Sequence, residues 1–321
     1  MMFITLLFGG FYVGWNIGAN DAANCMGTPV GSGLLSYRRT AFIVTLFAVI
    51  GALLHGDAVI ETVGRGIVAE ELPYIAVLVI LISAGLFVSL ATFLHLPVST
   101  SQAIVGAVSG VGFAVGATVN VDLSQVGRIG QGWIVSPVLT AIIAFALYHL
   151  FAIPMRRIKG FTQWERVLRV LVLMSAAYMA FAMGANNVGN AIGPIVNVGG
   201  DPDQLALLGA AALAVGILSG GRRVTKTIGS GITPLDPLGA FTAQLAAAFA
   251  IHAFSLIGIP VSTSQAVVGA IAGVGLVKGM RAINRRQIFQ IMIGWVATPI
   301  TTGLLAFGLY RLLSLFFYTL R

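Results

Sequence analysis

Charge is what this chain has least of. Only 9% of its 321 residues are Asp, Glu, Lys or Arg, against about a quarter in soluble domains. A single cysteine, Cys25, excludes an intrachain disulfide and any multi-cysteine metal site. There is no GxxxxGK[ST] loop, which argues against an ATP-driven pump. No polar stretch runs beyond about 20 residues, too short for a soluble catalytic domain. Met1 to Val13 is apolar but lacks the basic flank of a cleavable signal peptide, so it is expected to stay as structure. What remains is 58% hydrophobic, with a mean hydropathy of +0.97 and 40 glycines. Surface that apolar needs lipid to cover it, and small residues let membrane helices approach closely. The net charge of +8 does not indicate nucleic acid. The basic residues flank apolar runs instead of forming an aromatic-interleaved face.

An internal repeat sets the organisation. Pro97–Gly112 (PVSTSQAIVGAVSGVG) and Pro260–Gly275 (PVSTSQAVVGAIAGVG) agree at 13 of 16 positions. GANDAAN at Gly18–Asn24 pairs with GANNVGN at Gly184–Asn190, and TVGRGIV from Thr62 with TIGSGIT from Thr227. GWIVSP at Gly132–Pro137 pairs with GWVATP at Gly294–Pro299. The chain therefore divides into a first repeat (1–155), a basic linker (156–166) and a second repeat (167–321).

Equivalent loops carry opposite charge. Arg38 and Arg39 follow GANDAAN, whereas Asp201 and Asp203 follow GANNVGN. Asp57 and Glu61 in the next loop face Arg222, Arg223 and Lys226 in its counterpart. Asp122 with a lone Arg128 corresponds to Lys278, Arg281, Arg285 and Arg286. Positive loops mark the cytoplasmic side, and they alternate consistently only if the repeats are inverted, each with an odd number of crossings. The spans fall near 2–36 (broken), 38–56, 72–94, 97–118 and 126–153, with mates near 167–200, 204–220, 238–258, 260–277 and 286–317. The fold expected is an all-α polytopic membrane protein of two inverted-topology repeats. It has about 10–12 transmembrane segments, the upper number applying if the polar segments are hairpins with half-helices. Both termini then lie outside the cell membrane.

Two pairs of polar elements interrupt these spans. Asn16, Asn20, Asp21 and Asn24 supply oxygen ligands, with Pro29 expected to break the first span. Asn186, Asn187 and Asn190, with Pro194, form the mate. Asp21 is the only carboxylate in its span and is costly in lipid unless compensated. PVSTSQ reads as an extended lead-in to a helix N-terminus, whose free N–H groups and dipole favour an anion. Ser99, Thr100, Ser101 and Gln102 add side-chain donors, and Ser262, Thr263, Ser264 and Gln265 do so from the opposite side. The bland alternative is that such hydroxyls merely bond the preceding turn. Duplication within inverted halves, with an acid inside the membrane, favours a binding site. Glu61 and Arg65 read equally as a gate or as an interfacial pair. His55, His95, His149 and His252 lack partners across the repeat and read as packing, as do Cys25 and the four tryptophans.

The paired GAN motifs, ETVGRGI from Glu61, both PVSTSQ copies and RRVTKTIG from Arg222, followed by GAFTAQLA, resemble the inorganic phosphate transporter (Pit) family. The resemblance implies a cation-coupled phosphate symporter and no enzyme. It implies phosphate at the PVSTSQ residues, Na+ (or H+) at the GAN residues, no other cofactor, and a homodimer. Asn187 and Gln244 depart from the family pattern, each replacing a carboxylate. Three rival readings remain: a sulfate permease of the same build, a channel, and a membrane-embedded enzyme acting on lipid phosphates. The last would need a nucleophile–base pair or metal cluster that does not repeat here.

Overall fold

The computed structural model describes residues 2–31, 33–94, 98–116, 119–231, 235–277, 279 and 285–318. His95, Pro97, Lys278 and Arg281 lie outside the described residues. The order is α1 (Met2–Gly31), α2 (Tyr37–His55), α3 (Asp57–Glu61) running into a π turn (Thr62–Gly66), α4 (Tyr74–Phe93), α5 (Thr100–Val115) and α6 (Leu123–Arg157). The second half repeats it as α7 (Phe161–Val196), α8 (Pro202–Gly231), α9 (Pro237–Leu256), α10 (Thr263–Val277) and α11 (Arg285–Tyr318). Among the described residues the only β pairing is an isolated bridge between Val68 and Val121. α6 passes directly into α7 through residues 158–160.

Among the described residues eight helices are long and apolar enough to cross a membrane, and α5 and α10 are shorter apolar helices. Polarity is distributed as lipid demands. Ile134, Ile142, Ile300 and Leu304 are exposed on the long outer helices α6 and α11. Asn, Ser, Thr and Gln side chains occupy the interior instead, among them Asn187, Ser101 and Gln244. With no water to compete, interior polar groups must find partners on neighbouring helices.

One expectation is corrected. α1 runs unbroken through GANDAAN, and α7 through GANNVGN. Pro29 and Pro194 fall in the last turns, where a lost hydrogen bond matters least. The first glycine of each motif serves packing, not bending. A Cβ on Gly18 would collide with the Leu213 carbonyl, and one on Gly184 with the Ala48 carbonyl. These close approaches lock α1 to α8 and α7 to α2, pairing each GAN helix with the other half. α5 likewise packs on α11, and α10 on α6.

The true interruptions are the PVSTSQ segments. At one end of the first, Thr92 of α4 meets Asn20; at the other, Thr100 of α5 meets Asp21. Both ends thus stand at the same level of α1, so α4 and α5 form a hairpin whose tip reaches the interior of the bundle. α9 and α10 form its mate, with Val261 held by Asn186. Drawing the polar segments as hairpins is therefore the correct choice between the two countings. The break at Gly56 and the π turn over TVGRG have no equivalent in α8, which covers the matching stretch as one helix.

Candidate functional site

The two hairpin tips and the two GAN helices converge on one buried polar cluster. Asp21 is completely buried, and no other acidic or basic residue is buried among the described residues. Its Oδ2 accepts from Asn187 Nδ2 at 2.7 Å and from Thr100 Oγ1 at 3.1 Å. Its Oδ1 accepts from Asn24 Nδ2 at 3.1 Å, which also reaches Thr263 Oγ1 at 3.4 Å. Asp21 and Asn187 occupy matching positions of the two motifs, so the repeat mates bond each other directly.

Ser101 is the second hub. Its hydroxyl donates to the Val261 carbonyl at 2.9 Å and accepts from Asn190 Nδ2 at 2.8 Å, with Asn186 Nδ2 at 3.4 Å. Asn186 also clasps Val261, donating to its carbonyl at 2.8 Å and accepting from its N–H at 3.0 Å. Ser264, the mate of Ser101, donates to the Val98 carbonyl at 3.4 Å and pairs with Ser262 at 3.0 Å.

Both helix starts are capped by the first serine of the motif. Ser99 Oγ accepts from the Gln102 N–H, and Ser262 Oγ from the Gln265 N–H, each at 3.2 Å. These hydroxyls fix the α5 and α10 N-termini, whose first N–H groups have no intrahelical acceptor. Gln102 and Gln265 are buried and border a cavity of ≈ 740 Å³ between α6 and α11, flanked by Trp133 and Trp295. Their Oε1 atoms, and Asn190 Oδ1, are buried without a hydrogen-bond partner. Orphaned acceptors at this depth are the groups a cation or a donating ligand would satisfy.

Not every residue expected here joins the cluster. Asn20 donates to Thr92, and Asn16 bonds the Tyr12 carbonyl and Ser89, so both fasten α1 to α4. Glu61 and Arg65 meet each other at 3.8 Å with side chains more than half and half exposed, and no bond among the described residues joins them to Asp21. They line an outer polar cavity with Glu70 and Asp122. Gln244 is buried, donating to the Cys25 carbonyl and accepting from Ser175 at 3.2 Å. An ionised carboxylate in that place has no hydrogen to offer the carbonyl. One organising residue escaped sequence reasoning. Asn197 accepts from the Leu72 N–H and donates to the carbonyls of Gly64, Val68 and Glu70, tying the end of α7 to the segment after the π turn. Its only signal was a polar side chain at the close of an apolar run.

A family model described as the phosphate transporter family matches residues 17–159 and 151–306. The chain belongs to that family. An inferred phosphate permease of Chlamydia pneumoniae is 30% identical, with the comparison covering 100% of this chain and 98% of the relative. Inorganic phosphate transporter 2-1 of Arabidopsis thaliana is 27% identical over 93% of this chain and 70% of its own length. Among solved structures, a sodium-dependent phosphate transporter superposes with a TM-score of 0.89 at 26% identity, covering 98% of this chain and 99% of that one. The family-matched segments contain both GAN motifs and both hairpin tips, so the buried cluster lies within the part of the chain that defines the family.

Proposed function

We propose that this member of the phosphate transporter family is a Na+-coupled phosphate symporter that works by alternating access. The observation that carries it is Asp21, alone among the described acidic residues in being buried, set between two helix N-termini and ringed by amides and hydroxyls from both halves. Among the described residues no lysine or arginine is buried beside it. A phosphate of one to two negative charges must therefore be neutralised by helix N-termini, hydroxyls and a co-bound cation. Asp21 and the orphaned Asn190 Oδ1 are hard oxygen ligands of the type Na+ accepts. Cation and anion then lower each other's free energy, and this mutual dependence is the coupling. The sodium dependence named for the solved relative supports the same assignment.

Phosphate is favoured over sulfate because Gln102 and Gln265 hold unpartnered carbonyl oxygens at the two helix starts. A protonated phosphate oxygen can donate to them, and sulfate has no proton to donate. The loop charges support inverted halves with Arg38, Arg39 and the basic linker in the cytoplasm, both termini outside, and the cell membrane as location. Inverted repeats around a central site are the plan of alternating-access carriers.

The deciding experiment is uptake of radiolabelled phosphate and sulfate into proteoliposomes, with Na+ and pH gradients imposed separately. Phosphate should accumulate with inward Na+ and sulfate should not compete. Uptake that follows the pH gradient and ignores Na+ would overturn sodium coupling, and flux indifferent to either gradient would indicate a channel.

A further inference from the structure

Where α2 of the first half meets α7 and α9 of the second lies a titratable cluster that the proposed phosphate site does not use. His55, from the last turn of α2, and His252, from α9, meet with Nδ1 and Nε2 at 2.7 Å and rings stacked at 5.0 Å. The Tyr178 hydroxyl of α7 lies 2.9 Å from the other nitrogen of His252, and Phe181 sets its edge against both imidazoles. All three polar residues are half-buried.

The repeat shows what this cluster replaces. Tyr12 stands six residues before GANDAAN, as Tyr178 stands six before GANNVGN; Ser89 stands eight before the first PVSTSQ, as His252 stands eight before the second. In the first half the Tyr12 hydroxyl meets Ser89 Oγ at 2.6 Å, and Ser89 donates to Asn16 at 2.7 Å. Each hairpin is thus tied to its GAN helix through a tyrosine at the same place. In the first-half contact of Tyr12, Ser89 and Asn16, the tyrosine alone titrates. In the second, two imidazoles do, and the third member comes from α2 instead of the GAN helix.

We infer that the His55–His252 contact is a proton site that releases the second hairpin when it is fully protonated. A contact of 2.7 Å between two ring nitrogens holds one hydrogen. With both rings neutral, His252 Nε2–H donates to His55 Nδ1, and His252 Nδ1 accepts from the Tyr178 hydroxyl. One added proton is accommodated at His252 Nδ1, with the tyrosine oxygen turned to accept. A second proton must go to His55 Nδ1, where N–H then faces N–H and two positive charges adjoin, so the contact opens. The titratable groups facing the pair are each other and Tyr178. Asp57, two residues after His55, is exposed, and no salt bridge among the described residues reaches either ring. Opening is felt at the tip, because Gly258 packs against the Ala58 carbonyl and Thr62, just beyond His55.

Hydrogen–deuterium exchange on the purified protein in lipid nanodiscs tests this without reference to transport. With rates referred to intrinsic chemical exchange, α9 and residues 256–262 should exchange about tenfold faster at low pH, the effect of losing one hydrogen bond to a charged partner. α4 serves as the internal control and should not respond. His252→Ser, which installs the residue the first half uses, and His55→Asn should each remove the response. An equal response in α4 and α9, or one that survives in both variants, overturns the proposal. Because each variant alters a different ring, a folding failure in one leaves the other to decide.

Discussion

The two hairpin tips occupy equivalent places yet are held differently. Val261 in the second tip is clasped from both sides by Asn186 and also receives the Ser101 hydroxyl. Among the described residues Val98 in the first tip receives only Ser264, at 3.4 Å. The mate of Asn186 is Asn20, and it turns away to Thr92. Near-identical sequences thus adopt two arrangements around one centre. A protein whose halves exchange these arrangements would present the centre first to one side and then to the other, which is what the proposed alternating access requires.

The sharpest way to break the comparison is at Asp21, a buried carboxylate at the junction of the two tips. Asp21→Asn should reduce Na+-dependent phosphate binding at least about a hundredfold, since three hydrogen bonds to an ionised group become neutral ones. Binding to purified protein across Na+ concentrations measures it, and a variant retaining the parent's Na+ dependence would remove Asp21 from the cation site. Next come the serine mates. Ser101→Ala should weaken phosphate binding by about 1.5–3 kcal/mol, because it also removes the hydroxyl to which Asn190 donates and one of the donors to the Val261 carbonyl. Ser264→Ala, with its longer contacts, should lose about 0.5–1.5 kcal/mol. Equal losses would show that the asymmetry of the tips does not reach the ligand. The mildest change restores symmetry. Asn187→Asp places two carboxylates in contact, which cannot both stay ionised without a cation between them. Phosphate uptake should then rise more steeply with Na+ concentration, and an unchanged slope would mean that the second carboxylate is simply protonated.

Much of this arrangement was legible from repeated residues. The two halves, the GAN and PVSTSQ elements and the lone acid at Asp21 all stand out because duplication separates them from ordinary membrane polarity. Continuity of α1 and α7 did not stand out. Asn and Gly disfavour helices in water, but here their side chains are satisfied by neighbouring helices and their small size admits the Leu213 and Ala48 carbonyls. The crossed packing of the halves is invisible to periodicity, which reports which face is apolar and not what covers it. His55 and His252 were set aside because neither has a histidine in the other half. Their significance lies in that lack, and it appears only when α2 and α9 are brought together.

The crossed packing has a consequence for how the chain is made. Synthesis delivers residues 1–155 to the membrane first, with α1 lacking α8 and α5 lacking α11. Until α7 arrives, Asp21 lacks the Asn187 amide and the Ser101 hydroxyl lacks Asn190. A carboxylate left in lipid with the Thr100 and Asn24 bonds and without the amide from the other half is costly, so the early intermediate must keep its first hairpin wet or shielded. The buried polar cluster is therefore among the last parts of the molecule to close, and a truncated first half should be retained by quality control instead of persisting as a stable domain.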